Sequence, residues 1–107
     1  APYIEELVFR VKPELLEQYV SLNASHWIPA LSAQKGFLGG ELWVGEEGTG
    51  EVAVIYFWEH YEDFTGLDQE WLAGMKRKAG EAMGEGNVVF IGQMQASKKK
   101  YKLCECR

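Results

Sequence analysis

Hydrophobic positions change period along this chain, and each change marks an element. Over Tyr3–Val11 they alternate, with Leu7, Phe9 and Val11 on one side and Ile4, Val8 and Arg10 on the other. A period of two is that of a strand. Pro13 and Glu14 follow, and proline at a first helical position with acid in the first turn starts a helix. At helical steps over Pro13–Leu31, one half of the wheel collects Leu15, Leu16, Tyr19, Val20, Leu22, Trp27, Ala30 and Leu31. Asn23 falls near the middle of that apolar arc and His26 inside its edge. Glu14, Glu17, Gln18, Ser21 and Ser25 take the other half. Pro29, near the end, predicts a kink rather than a break. Lys35 and Gly36 then close the segment, as a cation and a terminating glycine do.

Phe37–Val44 and Glu51–Trp58 read as two further strands, joined through the polar loop Gly45–Gly50 into a hairpin. A second helical segment runs from near His60 to about Met83. Tyr61–Phe64 forms a short opening turn, and Asp68 is the N-cap of the main part. Trp71, Leu72, Met75, Ala79, Ala82 and Met83 recur at helical spacing, and Gly84 and Gly86 end the run. Asn87–Gln95 is a fourth strand. The order is β-α-β-β-α-β. In one small domain, 1–97, this predicts an α+β, ferredoxin-like antiparallel sheet with both helices on one face.

The strands do not show the apolar-in, polar-out pattern of a half-covered sheet. In the third strand Val52, Val54, Tyr56 and Trp58 oppose Ala53, Ile55 and Phe57. In the fourth, Val88, Phe90, Gly92 and Met94 oppose Val89, Ile91, Gln93 and Gln95. In the second, Phe37 and Trp43 oppose Leu38, Leu42 and Val44. One face covers the helices, and the other is an apolar patch unless something covers it. A second copy, sheet on sheet, is the simplest cover. The expected partner is therefore the chain itself, in a homodimeric α+β barrel.

Composition narrows the class. An apolar content of 47% with 25% charged residues is that of a globular domain, and no apolar run is long enough for a membrane span. Ala1 in place of Met leaves a processed start or a removed targeting segment open. The net charge of −5 is unevenly spread. Lys98, Lys99, Lys100, Lys102 and Arg107 against Glu105 make 98–107 a basic tail, expected to be solvated, and leave the body strongly acidic. An acidic body argues against nucleic acid as the main partner. Cys104 and Cys106, both in the tail, are too close for an ordinary disulfide and supply half a zinc site at best. Two unpaired thiols fit a reducing, cytoplasmic compartment.

Several motifs fall together between the two halves. Trp27-x-Pro29-Ala30-Leu31, Gly36-Phe37-Leu38-Gly39 and Glu41-x-Trp43 are followed by a strand ending in Trp58 and an acidic helix start. Over about residues 4–94 this pattern resembles the dimeric α+β barrel superfamily. The G-F-L-G-x-E piece is similar to its antibiotic-biosynthesis-monooxygenase branch. The longer combination is nearer still to a set of small proteins of that superfamily common in cyanobacteria. The resemblance implies the barrel fold. The superfamily spans cofactor-independent monooxygenases, haem-degrading oxygenases, haem enzymes, cyclases and members without activity, so fold does not fix function. The haem-degrading branch carries a ligating His on the helix after strand three and an Asn on strand one. Gly74–Gly80 holds no His and the first strand no Asn, which disfavours haem degradation.

In such a fold the usual pocket lies between helices and sheet, which Asn23, His26 and Trp27 should face. A buried Asn or His needs a hydrogen-bond partner, either internal or a ligand. With a ligand, His26 is the expected base for a phenolic proton and Asn23 the donor to a developing oxyanion. Trp27, Tyr19, Tyr56 and Trp58 would wall a small aromatic or hydrophobic substrate. The expectation is a monooxygenase-like enzyme with no cofactor and no metal. The alternative is a non-catalytic ligand-binding or structural homodimer, with Asn23 and His26 bonded internally. Trp43, Trp58 and Trp71 are expected as core or dimer contacts in preference to a substrate shelf. His60, among acids at a helix start, is a solvated turn residue or a lone metal ligand. No second His or Cys stands at metal-binding spacing, and GEEGTG lacks the lysine of a phosphate loop.

Overall fold

The computed structural model of the chain describes residues 2–92 and 101–106. It is an α+β structure. Strands β1 (Tyr3–Val11), β2 (Phe37–Val44), β3 (Glu51–Trp58), β4 (Val88–Gly92) and β5 (Tyr101–Cys106) form one antiparallel sheet in the order β4-β1-β3-β2-β5. The expected ends of the fourth strand at 93–95 lie outside the described residues. The basic tail departs from expectation over 101–106, which pair with β2 as an edge strand instead of standing in solvent. Its alternation is only Tyr101, Leu103 and the two cysteines among charges, too short a signal to separate from a loop.

The first helical segment is not one regular helix. A 3-10 turn (Pro13–Leu15) leads into α1 (Leu16–Leu22), a π turn (Asn23–Trp27) and α2 (Ile28–Ser32). Pro29 has no N–H for the Ser25 carbonyl four residues back, and its ring crowds that carbonyl. The backbone widens just ahead of it, so that the Ile28 N–H reaches the Asn23 carbonyl, five residues back. The distortion expected at Pro29 is thus taken up by the turn that holds Asn23, His26 and Trp27. Beyond the hairpin, α3 (Tyr61–Thr65) precedes α4 (Gln69–Met83). The Asp68 carboxylate accepts the Trp71 N–H at 2.9 Å, capping α4 as its sequence predicts.

The helices pack on one face of the sheet. Tyr19, Ile28, Leu31, Leu67 and Met83 share a core with Leu42, Val52, Val54, Tyr56 and Trp58. The segment containing α1 and α2 runs antiparallel to α4. Two side chains brace them: Gln18 Nε2 donates to the Ala82 carbonyl at 3.0 Å, and His26 Nε2 bonds the Met75 carbonyl at 2.9 Å. The link from α2 into β2 is tight. Gly36 has φ +82°, and a Cβ there would overlap the Asp63 carboxylate, so only glycine fits.

The register shifts in three places, one of them between Leu42 and Trp43 where β2 meets β5, and the other two reset the alternation of β2 and β4. Between Phe37 and Gly39 the register of β2 shifts against β3. Phe37 therefore packs on the helix side together with Leu42 and Val44, and Trp43 points away, unlike the grouping that strict alternation predicts. In β4, Val88 and Phe90 lie opposite Val11 and Phe9 as expected, but a bulge at Ile91 sets Gly92 opposite Val8, on the outer face. That outer face also carries Ile4, Glu6, Arg10, Ala53, Ile55, Phe57, Glu41 and Val89 by register.

Candidate functional site

Tyr56 lies at the centre of the inner face, on β3. Its neighbours across the sheet are Glu5 on β1 and Gly40 on β2. The absence of a side chain at position 40 makes room for its ring: an added Cβ would come within 2.8 Å of the Tyr56 ring and 2.7 Å of the Ile55 carbonyl. From there the Tyr56 hydroxyl donates to Asn23 Oδ1 at 2.6 Å. Asn23 is only 2% exposed. Its place in the π turn aims it at the sheet, in the middle of the apolar arc where its sequence position puts it. Tyr19, one turn earlier, is buried beside it, and burial pushes its phenol well above the usual value.

His26 is drawn a different way. A carbonyl oxygen only accepts, so the bond to Met75 makes Nε2 the protonated nitrogen and leaves the ring's lone pair on Nδ1. The ring meets Trp27 edge-on, with centroids 5.4 Å apart. His26 is thus bonded to the neighbouring helix rather than to Asn23, Tyr56 or Tyr19. Trp27 is half-buried against the core. Trp58 is fully buried, edge-on to Phe37 at 5.2 Å, and its Nε1 donates to Glu5 Oε1 at 3.3 Å.

Of the six residues singled out in the sequence, the structure brings Asn23, Tyr56 and Tyr19 together, and sets Trp58 beneath them on the same strand. It turns His26 toward α4. Glu5 is the residue that the pattern missed. It is the single acid on the inner face of β1, between Tyr3 and Leu7. Burial raises its pKa above the ordinary 4.5, and the Trp58 hydrogen bond and the Lys76 charge work against that rise. Its signal was present in the alternation, as a carboxylate in phase with Phe9 and Val11.

His60 is exposed, and its extended backbone precedes α3 without a side-chain cap, so it is a turn residue. Among the described residues no group of three or more His, Cys, Asp and Glu side chains converges as a metal site. No helix among them is long and apolar enough to cross a membrane. The Asp63 carboxylate under Gly36 is buried, with Lys35 Nζ 4.0 Å from Oδ1 and no hydrogen bond to Oδ2. Comparison of the chain with protein-family models, with curated proteins and with solved structures gave no match.

Proposed function

We propose that this chain is a non-catalytic homodimer module. In this reading it is a ferredoxin-like domain paired with a second copy through the outer sheet face, as in a dimeric α+β barrel. The strand order β4-β1-β3-β2 and the helices on one side support the ferredoxin-like arrangement. The observation that carries the pairing is the apolar rim of that face. Ile4 is 58% exposed and Val89 49%, on the side opposite the described helices, around a centre where Val8 and Ala53 are buried. Its charges suit a two-fold copy. Glu6 lies opposite Ile55, and Arg10 lies along β1 on the same face, so a rotated copy can set Arg10 against Glu6.

The inner face supports the non-catalytic part. Tyr56 and Asn23 satisfy one another, and His26 is spent on bracing two helices. A buried polar pair that is already bonded gains little from a ligand, because the ligand must first break the bond. Sedimentation equilibrium tests the pairing. The expected mass is twice the 12.1 kDa chain, and a single-chain mass at tens of micromolar overturns it.

One observation favours a second reading, a cofactor-independent monooxygenase-like enzyme with a small aromatic or hydrophobic substrate. The Met75 carbonyl fixes the tautomer of His26, as a base's orienting partner does, and leaves Nδ1 to take a proton. In this reading Asn23 and its bonded partner Tyr56 would be the polar contacts of the substrate. Trp27, Tyr19, Tyr56 and Trp58 would form the walls. Thermal-shift screening against flat phenols tests this reading. A hit whose shift disappears in Asn23→Ala, with the fold kept, supports it; no hit across the series removes it.

A further inference from the structure

We infer that Glu5 anchors a site for a small primary amine with an apolar body, between the inner face of β1 and α4. The site lies on the opposite side of the sheet from the proposed pairing and does not depend on it.

Glu5 stands directly opposite Tyr56, and one step along the same face Tyr3 stands opposite Trp58. Neighbours of this kind on one face have Cβ atoms about 5 to 8 Å apart. The carboxylate is therefore set among three aromatic side chains. Its hydrogen bonding is incomplete. Trp58 Nε1 donates to Oε1 at 3.3 Å, and the Tyr56 hydroxyl is turned the other way, to Asn23. A carboxylate offers about four acceptor positions. Among the described residues Glu5 accepts no further hydrogen bond, and no cation closes an ion pair with it. A half-buried charge left short of partners is costly. The group that completes it carries positive charge and several N–H donors.

The chain itself shows which charge the place takes. Burial raises the Glu5 pKa, against the Trp58 hydrogen bond and the charge of Lys76 on α4. The Lys76 ammonium thus acts on Glu5 from the helix side, yet Lys76 is an exposed residue and no salt bridge forms. It is a lysine placed near a carboxylate that it does not neutralise, and a second ammonium can take the direct position.

The walls suit an apolar body. Tyr3 and Leu7, on either side of Glu5 along the inner face, are half-buried. Tyr3 is held in place by Phe64, stacked on it with centroids 5.2 Å apart. On the other side, α4 fully buries only Met83, near its end. Leu72, one turn before Lys76 on the same helix face, is half-buried. Apolar side chains left partly uncovered around a carboxylate give contact area to a ligand that brings both kinds of surface. A primary ammonium supplies three donors to Glu5, and its body covers Tyr3, Leu7 and Leu72. An anionic ligand is repelled, and a neutral one leaves the charge unmatched.

Isothermal titration calorimetry of the full chain with phenethylamine tests the site, with phenethyl alcohol and phenylacetate as neutral and anionic probes of the same shape. The amine should bind saturably, the alcohol at least about tenfold more weakly, and phenylacetate not at all. Glu5→Gln keeps an acceptor for Trp58 and removes the charge, so the amine should lose at least about tenfold in affinity. Lys76→Gln, at an exposed position, removes the competing ammonium and should strengthen the amine about two- to fivefold. A purely structural role of Glu5 produces no such gain, and this variant decides where Glu5→Gln does not fold. Nα-acetyl-lysine methylamide carries the same ammonium on a peptide stem. If it binds more tightly than phenethylamine, the occupant is a lysine side chain and the small-molecule assignment falls. No saturable binding of the amine up to about 10 mM, or equal binding of amine and alcohol, overturns the site. So does an amine affinity unchanged by Glu5→Gln, or by Lys76→Gln where Glu5→Gln does not fold.

Discussion

The two faces of one sheet in this chain have been treated differently by the rest of the molecule. On the inner face, Val52, Val54, Tyr56 and Trp58 of β3 are buried under helices, and the polar atoms among them are bonded in pairs, Tyr56 to Asn23 and Trp58 to Glu5. On the outer face, Ile4 and Val89 stand about half exposed. Acids sit among the apolar side chains there, Glu6 and Glu41 on either side of Ile55. Both faces are apolar enough in sequence to be a core. What separates them is where apolar side chains stay exposed: the inner face of β3 lies under helices, whereas the outer face, buried at Val8 and Ala53, leaves Ile4 and Val89 open at its rim.

Substitutions separate the faces by the size of their effect on unfolding of the single chain. The largest belongs to Trp58→Ala. The side chain is fully buried between Phe37, Phe64 and the sheet, and its removal leaves a cavity that flanking aromatics cannot fill. Chemical denaturation should show a loss of about 3–5 kcal/mol. Tyr56→Phe keeps the ring over Gly40 and deletes only the hydroxyl that Asn23 accepts from, so the expected loss is about 1–2 kcal/mol. Pairing it with Asn23→Leu in a double-mutant cycle should return a coupling of at least about 0.5 kcal/mol. Additive effects would mean that the 2.6 Å bond contributes nothing to the inner face.

A smaller effect lies in the pH dependence. Glu5 has a raised folded pKa, chiefly through burial, so the folded chain holds its proton more tightly than the unfolded one. Its contribution to stability is complete below the ordinary 4.5 and is lost as pH rises through the folded value. Glu5→Gln keeps an acceptor for Trp58 Nε1 and removes the titration. In denaturation midpoints taken between pH 4 and pH 7, roughly the span over which a shifted carboxylate titrates, the variant should lose this part of the slope and gain on the wild type toward pH 7. An unchanged slope would place the buried cost on another group.

Much of this arrangement is legible in the residues. Strand and helix periods, the Asp68 cap and the position of Asn23 on the buried arc follow from spacing alone. Besides the pairing of 101–106 with β2, three features did not, each for a physical reason. The bulges at Leu38 and Ile91 shift the phase of a strand without leaving a mark in the alternation. The π turn depends on how the backbone relieves the crowding by Pro29, and a kink was an equally good solution until the helix met the sheet. The partner of His26 is a backbone carbonyl on α4, and carbonyls carry no residue identity to read. Of the candidate site, the residues were therefore found but their bonding was not. That bonding decides between a base awaiting a substrate and a brace between helices.

The smallest effect on the single chain is expected on the outer face, and it tests the comparison most directly. Ile4 lies at the start of β1, 58% exposed, opposite Phe57. Ile4→Glu removes no internal contact of consequence, so at concentrations where only single chains are present the unfolding free energy should stay within about 0.5 kcal/mol of wild type. In a paired molecule the same change buries a carboxylate against an apolar partner surface, which costs several kcal/mol unless the charge is matched. Sedimentation should then show the variant as a 12.1 kDa species where the wild type is twice that mass. If instead Ile4→Glu unfolds the isolated chain, the outer face is part of the internal core and the contrast between the faces fails. If it changes neither stability nor mass, the cover lies elsewhere on the sheet, and Val89→Lys at the β4 edge becomes the variant that must dissociate the pair.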